Sequence, residues 1–395
     1  MITNTEADGI QTGTTKMKFI ISSKELGEVL VNMNRVINTK NSLPILADII
    51  FSVKENNLNL RASDGDIILE SDVTLTECEG EGILAVNGKN IMDAVSNLPD
   101  TPLTFVVSED KKSLKVGYSA GSFSMPIDDA LSFPVFKETN AGAGISFEIN
   151  EGLLQENIAR TIFMTADDEL RIVMNGIFFG LTTEELEVVA SDGKQLVRNR
   201  IMSVKATNQE RAGNFILPKK AANILKAILK KNTLDSVVVV SGETQLQIYA
   251  ENFKFSCRLI EGRYPNYIAV IPKDNHNVAT VDRDALAAAL KRVSPFSNLC
   301  TQLVRIRVQE GEMQLFAEDD NYGKAAKERL ACDYSGEAMS IGLNGYKIME
   351  ILNKIAAEKV EFKLAEPSRA AVIVPSEQPE DVNITMLLMP LLLCD

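Results

Sequence analysis

The sequence predicts an α+β protein made of three similar domains, each with two helices and antiparallel strands. The tetrapeptide Ala-Ser-Asp-Gly occurs at residues 62–65 and again at 190–193, each time after an alternating apolar run. Apolar residues with helical spacing begin near residues 23, 87, 150, 217, 282 and 344, at intervals of 62 to 67 residues. A near-constant period of this length is typical of a duplicated supersecondary unit.

Each period reads as one helix followed by three or more strands. Ser23 is the expected N-cap of the first helix, over 24–37, and a second helix begins near Asn87 and ends before Pro99. Turns are expected at Asn56-Asn57 and Asp64-Gly65. The strands expected around these helices cover residues 46–53, 57–62, 67–75, 103–107, 114–118 and 122–127.

Doubling the period gives the three domains. Leu58, Leu186 and Met313 open equivalent strands, separated by 128 and 127 residues, and in the third copy Ala-Glu-Asp-Asp replaces Ala-Ser-Asp-Gly. Polar, glycine-rich or proline-containing joints occur at 140–144 and 272–277. We therefore expect a disordered extension over 1–16 and three domains over 17–141, 142–273 and 274–395.

Composition narrows the class of protein. The chain has 395 residues, 45% of them hydrophobic, and a net charge of −13, which argues against an indiscriminate nucleic-acid binder. Its five cysteines, at 78, 257, 300, 332 and 394, never form Cys-x-x-Cys, so neither a disulfide framework nor a zinc site is expected. The pattern favours a cytoplasmic protein, with no signal peptide and no span long enough for a membrane.

Few residues could support catalysis. The single histidine, His276, lies in a polar linker, and neither a Walker loop nor a dinucleotide loop is present. Acidic runs at 167–169 and 319–320 could bind Mg²⁺, although adjacent acids in turns are usually solvated. We expect no enzyme and no cofactor, and retain a metal-dependent nuclease as an alternative.

Basic residues are concentrated on the predicted helices. The six helix spans carry a net charge of +6, whereas the rest of the chain carries −19. Five lysines of one span, 217–231, supply most of the excess. This distribution suits contact with phosphates without sequence reading, although lysines on solvated helix faces would give the same count.

Several motifs together resemble the bacterial sliding clamp, the β subunit of DNA polymerase III. The resemblance covers nearly everything from Met17 onward. The motifs that carry it are Met17-Lys18-Phe19, Leu43-Pro44-Ile45-Leu46, Ala190-Ser191-Asp192-Gly193, Glu261-Gly262-Arg263-Tyr264-Pro265-Asn266-Tyr267, Ser297-Asn298 and Met389-Pro390.

The resemblance implies a DNA clamp fold, with two inner helices per domain packed on outer antiparallel sheets, and a head-to-tail dimeric ring around duplex DNA. Helices ~9 Å apart agree with a dimer, because six would enclose almost no hole whereas twelve would leave roughly 25 Å. The implied function is a processivity factor that binds double-stranded DNA without sequence preference. Its implied partners are the DNA polymerase III catalytic subunit, the clamp loader, other replication and repair polymerases and a second copy of the chain, but no membrane.

Site residues follow from the same resemblance. The implied DNA contacts are Lys40, Lys89, Lys219 and Lys220. The implied dimer contact places Phe296 of one chain against Phe123 and Met125 of the other. The implied groove for partner peptides is lined by Met174, Ser191, Gly193, Lys194, Leu196, Pro265, Val270, Leu387, Met389 and Leu391.

The sequence also departs from the family pattern. Lys194-Gln195 stands where the family often has a more basic pair, and Ala269 stands where an arginine is common. The ending Leu-Leu-Leu-Cys-Asp over 391–395 is also unusual. These departures affect peptide preference rather than fold. Besides the nuclease, an acidic repeat scaffold without a DNA role remains an alternative.

Overall fold

The computed structural model describes residues 17–38, 43–133 and 144–393. Lys40, the 1–16 extension and most of the first predicted linker lie outside the described residues. Contacts divide the chain into two units, residues 1–138 with 247–257 and residues 139–246 with 258–395. Among the described residues, no helix is long and apolar enough to cross a membrane.

The first third of the chain contains two helices and nine strands within its described residues. The helices are α1 (Ser23–Val36) and α2 (Gly88–Ser96). The strands are β1 (Lys18–Ser22), β2 (Asp48–Lys54), β3 (Asn57–Ser63), β4 (Ile67–Thr74), β5 (Glu77–Glu79), β6 (Gly82–Asn87), β7 (Pro102–Val107), β8 (Ser113–Tyr118) and β9 (Gly121–Pro126).

The middle third repeats this alternation of helices and strands. Its helices are α3 (Glu151–Thr161) and α4 (Lys219–Ile228). Its strands are β10 (Ile145–Asn150), β11 (Gly176–Leu181), β12 (Leu186–Ser191), β13 (Gln195–Ile201), β14 (Gly213–Pro218), β15 (Ser236–Ser241), β16 (Gln245–Tyr249) and β17 (Lys254–Arg258).

The last third completes the pattern. Its helices are α5 (Arg283–Val293) and α6 (Gly345–Leu352). Its strands are β18 (Asn277–Asp282), β19 (Leu303–Gln309), β20 (Glu312–Asp319), β21 (Lys324–Ala331), β22 (Met339–Asn344), β23 (Lys359–Leu364), β24 (Ala371–Pro375) and β25 (Val382–Leu388).

The strands pair antiparallel within each unit. The first unit has one sheet in the order β5-β1-β7-β8-β9 and a second run in the order β17-β4-β3-β2-β6. The second unit has a sheet in the order β14-β11-β12-β13-β25-β24-β23-β18, another in the order β21-β20-β19-β22, and the pair β10-β15. Helices pack in pairs, α1 with α2, α3 with α4 and α5 with α6. The α+β fold class predicted from the sequence, with paired helices and antiparallel sheets, is therefore confirmed.

Side-chain caps mark the starts of most of the described helices. Asn87, Asn150, Asp282 and Asn344 each accept a hydrogen bond from the backbone N–H three residues later. Such caps satisfy N–H groups that have no partner within the helix. The fourth helix differs, because it follows Pro218, which has no side-chain oxygen.

Two predictions about the first period were wrong in detail. The N-cap of α1 is Ser22, whose hydroxyl accepts from Lys24 N–H at 3.2 Å. The predicted N-cap Ser23 is instead a buried helical residue whose hydroxyl donates to the Pro99 carbonyl at 2.8 Å. The strand expected from residue 46 begins at Asp48, because Pro44–Ala47 forms a 3-10 turn first.

The duplicated Asp-Gly turns have the same structure. Gly65 has φ +98° and Gly193 has φ +89°, values that L side chains rarely adopt. In both turns the preceding serine hydroxyl accepts from the glycine N–H at 3.1 Å, and the aspartate accepts from the two N–H groups that follow the glycine. The predicted strand-to-turn reading of both motifs is confirmed.

Candidate functional site

An apolar cluster forms the floor of the predicted groove. Strand β13 pairs with β25 so that Leu196 lies opposite Leu387, and both are buried. The buried members of the cluster are Val189, Leu196, Ile216, Tyr264, Tyr267, Ala370 and Leu387. Val173, Phe178, Ile260 and Ile271 pack against it and remain partly exposed. We call the ten predicted groove residues the partner groove. They are Met174, Ser191, Gly193, Lys194, Leu196, Pro265, Val270, Leu387, Met389 and Leu391.

The turn between β12 and β13 forms one wall of the partner groove. Ser191 Oγ accepts from Gly193 N–H and donates to the Gln195 carbonyl at 2.8 Å. The Lys194 carbonyl accepts from Met389 N–H at 2.8 Å, which ties the turn to the end of β25. Met389 stays 44% exposed, so its side chain is available at the surface next to this wall.

Tyr264 supports this wall from below. Its hydroxyl oxygen accepts from Ser191 N–H at 3.0 Å, and its ring lies 5.2 Å from that of Phe178. Burial raises the pKa of Tyr264 to about 12, so the phenol stays neutral. A neutral, hydrogen-bonded phenol can lie in an apolar floor without an uncompensated charge.

A second wall comes from the segment after Tyr264. Tyr267 N–H donates to the Pro265 carbonyl at 2.8 Å and opens the 3-10 turn Tyr267–Val270. Pro265 is exposed and Val270 is 55% exposed, whereas Tyr267 is buried. The segment is therefore anchored through its tyrosine and presents small apolar side chains outward.

Arg171 joins a third segment to the turn. Its guanidinium pairs with Asp168 at 2.8 Å and donates to the Asp192 carbonyl at 3.4 Å. The hydrogen bond from Arg171 Nε to Asp168 lowers the pKa of the Asp168 carboxyl. Met174, three residues on, is buried at the end of the 3-10 turn Ile172–Met174.

Leu391 is the predicted groove residue with the least direct link to the floor. Its N–H donates to the Gly342 carbonyl at 2.8 Å, which holds it against β22 rather than against β13. The other predicted groove residues lie on the turn, on the β13–β25 pair or on the two supporting segments.

The predicted DNA-contacting lysines lie at helix starts. Lys89 is exposed in the first turn of α2, and Lys219 and Lys220 open α4. Lys219 is half-buried and pairs with Asp167 at 2.6 Å, so part of its charge is balanced within the chain. Lys40 lies outside the described residues.

A basic cluster in the second unit brings lysines of the predicted basic span 217–231 next to Arg160 and Lys354, which the sequence analysis did not single out. Burial, and after it the nearby charges of Lys226, Lys231 and Arg160, lowers the pKa of the Lys354 ammonium. Its Nζ lies 5.9 Å from the centre of the Phe163 ring. Three cations from the ends of α3 and α4 and the segment after α4 thus act on Lys354, and the nearby Glu350 carboxylate partly offsets them.

The carboxylates of the nuclease alternative have structural roles. Asp167 pairs with Lys219, Asp192 accepts hydrogen bonds within its turn, and Asp319 is buried in β20. No group of three or more metal-ligating side chains occurs within residues 17–38, 43–133 and 144–393. The nuclease alternative is not supported.

Comparison with known families identifies the chain. The profile of the DNA polymerase III beta subunit matches in three parts, its N-terminal domain at residues 17–137, its central domain at 148–266 and its C-terminal domain at 268–392. The chain belongs to the bacterial sliding clamp family. Known relatives agree with this assignment along almost the whole chain.

Among curated proteins, the beta sliding clamp of Caulobacter vibrioides is 27% identical over 391 residues, covering 95% of this chain and 100% of the relative. The beta sliding clamp of Pseudomonas putida is 26% identical over 374 residues, covering 94% and 99%. Among solved structures, a Pseudomonas aeruginosa sliding clamp bound to griselimycin is 25% identical, with a TM-score of 0.89 over 96% of this chain and 100% of that chain. The DNA polymerase III beta subunit of Thermotoga maritima is 25% identical, with a TM-score of 0.86 over the same shares.

The predicted dimer contacts of this clamp lie on two surfaces. Phe123 and Met125 project from one face of β9, which forms an outer edge of its sheet among the described residues, and both are half-buried. Phe296 ends the 3-10 turn that follows α5 and is 40% exposed. Large apolar side chains left at an edge strand and a helix end are typical of a surface that another chain covers.

The sequence prediction missed several residues that build the groove. Phe178, Tyr264, Tyr267 and Arg171 form its support, although none was named as a site residue. Tyr264 and Tyr267 belong to the Glu-Gly-Arg-Tyr-Pro-Asn-Tyr motif, so that motif was a usable signal. Phe178 and Arg171 offered none, because their contacts depend on the packing of distant segments.

Proposed function

We propose how this chain works as a sliding clamp and processivity factor: two copies close head to tail around duplex DNA, and the partner groove tethers a polymerase. Encirclement keeps the protein on DNA without strong binding. The tether raises the effective concentration of the polymerase at the primer end. The relatives whose names carry this function match the chain along nearly its whole length.

The basic helices support DNA as the encircled ligand. Lys89, Lys219 and Lys220, together with Lys40, are the proposed phosphate contacts. The cluster of Arg160, Lys226, Lys231 and Lys354 adds positive charge on helices of the second unit. Contacts of this kind are independent of base sequence, and a sliding protein requires such contacts.

The partner groove supports peptide tethering. Its floor is apolar, and Met389, Val270 and Pro265 are exposed at its edge. Flexible methionine and leucine side chains can adapt to several sequences. We therefore assign the polymerase III catalytic subunit, the clamp loader and other replication and repair polymerases as its partners.

The remaining assignments follow from the same proposal. The homodimer closes through Phe296 against Phe123 and Met125, and the protein acts in the cytoplasm without a cofactor and without catalysis. The boundary near 142 is supported by the first two profile matches, which end at 137 and begin at 148. The boundary proposed at 274 lies six residues after the start of the third match at 268.

Loading and release on DNA test the proposal. The protein is loaded on nicked circular DNA with a clamp loader and ATP, and the circle is then cut at one site. A closed ring slides off the ends, so the bound protein is lost after cutting and retained on the uncut circle. Retention on the linear DNA would refute encirclement.

A further inference from the structure

Four charged side chains continue the groove floor along the same face of its sheet. In the β12–β13 pair, Ser191 lies opposite Leu196, Val189 opposite Arg198 and Glu187 opposite Arg200. Because alternate side chains of a strand share one face, these residues point to the same side. We call Glu185, Glu187, Arg198 and Arg200 the charge ladder.

The charge ladder is closely paired. Arg198 Nε donates to Glu187 at 2.6 Å, and Arg200 Nε donates to Glu185 Oε1 at 2.8 Å. Arg200 Nη2 also forms an ion pair with Glu185 Oε2 at 2.6 Å. Glu185 and Glu187 are only 6% and 8% exposed. Buried carboxylates of this kind are tolerated only when they are paired and hydrogen-bonded, so the ladder holds a fixed geometry.

Tyr267 connects the ladder to the partner groove. Its hydroxyl donates to Glu187, while its ring lies 5.6 Å from that of Phe178 in the groove floor. Burial, followed by the bond to Glu187, raises the pKa of the Tyr267 phenol, which therefore remains a hydrogen-bond donor at neutral pH. The same residue opens the 3-10 turn that carries Val270.

We propose that Tyr267 is a positioning residue of the partner groove, held by the Glu187–Arg198 pair so that the Pro265–Val270 wall meets a bound peptide already in place. This inference rests on the proposed peptide-binding function. A wall fixed before binding spares the complex the entropy of ordering it, which raises affinity without any new contact to the peptide. Neither Glu187 nor Arg198 needs to touch the partner.

Removing the Tyr267 hydroxyl tests the proposal. The probe is fluorescently labelled griselimycin, the compound bound to the Pseudomonas aeruginosa clamp, and we assign its site on this chain to the partner groove as part of the proposal. Tyr267→Phe keeps the ring in the floor and breaks the bond to Glu187, and we expect the dissociation constant to rise roughly threefold to tenfold at 25 °C. An unchanged dissociation constant would overturn the proposal.

Tyr334→Phe is the matched control for a purely structural effect. Tyr334 is also buried, and its hydroxyl donates to the Glu337 carbonyl at 2.6 Å, within the last third of the chain. Both variants should lower the melting temperature, but only Tyr267→Phe should weaken griselimycin binding. Equal effects of the two variants on binding would mean that the Tyr267 hydroxyl contributes stability alone.

A double-mutant cycle tests whether Glu187 acts through Tyr267. Glu187→Gln and Tyr267→Phe should each weaken binding, and the double variant should be little weaker than the more affected single one. Additive losses would contradict positioning through this pair. If Glu187→Gln does not fold, hydrogen exchange over residues 265–271 replaces the cycle; it should be faster in Tyr267→Phe, and unchanged exchange would contradict the proposal.

These outcomes separate the inference from the proposed function. If the wild-type clamp does not bind griselimycin, the assignment of the groove fails and the inference fails with it. If the wild type binds and Tyr267→Phe binds equally well, the groove stands and only the positioning role is refuted.

Discussion

Gly65 and Gly193 occupy the same place in two copies of one turn, yet their surroundings differ. Both have positive φ and the same pattern of hydrogen bonds. A Cβ at Gly65 would meet only Leu46 Cδ1 at 3.9 Å, whereas a Cβ at Gly193 would lie 2.7 Å from Arg171 Nη1. Duplication therefore produced one turn with a structural role and one whose glycine also leaves room for the arginine beside the partner groove.

The two glycines give a matched pair of variants. Gly65→Ala and Gly193→Ala should each lower the free energy of unfolding by about 1 kcal/mol, because alanine is strained at positive φ. Only Gly193→Ala should weaken griselimycin binding, by about tenfold, since Arg171 must move away from the wall. Thermal melting and fluorescence polarisation measure the two effects. If both variants lost the same amount of griselimycin binding, the 191–194 turn would have no specific role in the partner groove.

At the scale of elements, the edge strand β9 has two different faces. Phe123 and Met125 alternate with the exposed serines Ser122 and Ser124, so one face is apolar and the other polar. An apolar edge strand exposed to water would invite aggregation unless another chain covers it. The head-to-tail dimer supplies that cover in our proposal.

A charge on the apolar face of β9 should open the dimer. Burying one phenylalanine contributes ~1.5–3 kcal/mol, so losing it should weaken dimerisation by about 10- to 150-fold, and the buried charge of Phe123→Glu should add to this loss. Ser124→Glu adds the same charge to the opposite face of the same strand and should leave the dimer intact. Light scattering during size-exclusion chromatography distinguishes the two forms. A stable dimer of Phe123→Glu would place the interface elsewhere.

At the scale of the whole molecule, the negative net charge and the basic helices fit a single function. A net charge of −13 disfavours tight binding to the outside of DNA. In our proposal, the basic groups near the ends of α3, α4 and α6 supply only weak attraction to phosphates. A closed ring needs only such weak contacts, because its retention depends on closure rather than on affinity.

Salt dependence should distinguish retention by ring closure from retention by electrostatic binding. Retention of the loaded protein on circular DNA should change less than about twofold between ~0.05 and ~0.3 M salt. Direct binding of the unloaded protein to a short linear duplex should fall by more than tenfold over the same range, because each phosphate contact releases counterions. Filter binding and gel filtration of the loaded circle measure both quantities. If salt reduced retention of the loaded protein as strongly as direct binding of the unloaded protein, the clamp would be held by ordinary electrostatic binding.

The sequence by itself determined the period, the helix starts and the turns. These features depend on local chemistry, since residues such as Asn87, Asp282 and Asn344 cap helices through bonds to N–H groups three positions away. The motif resemblance added the family, which the profile matches bear out. A local error occurred where two adjacent serines could both cap α1 and the fold selected Ser22.

Only the tertiary structure decided how the groove is built. Tyr264 reaches Ser191 across 73 positions of sequence, and Tyr267 reaches Glu187 across 80. The lowered pKa of Lys354 likewise depends on its burial and on cations from α3, α4 and the segment after α4. No local pattern encodes such contacts, because they exist only after β13 has paired with β25 and the helices have packed. The residues that hold a surface in place are therefore harder to predict than those that mark its family.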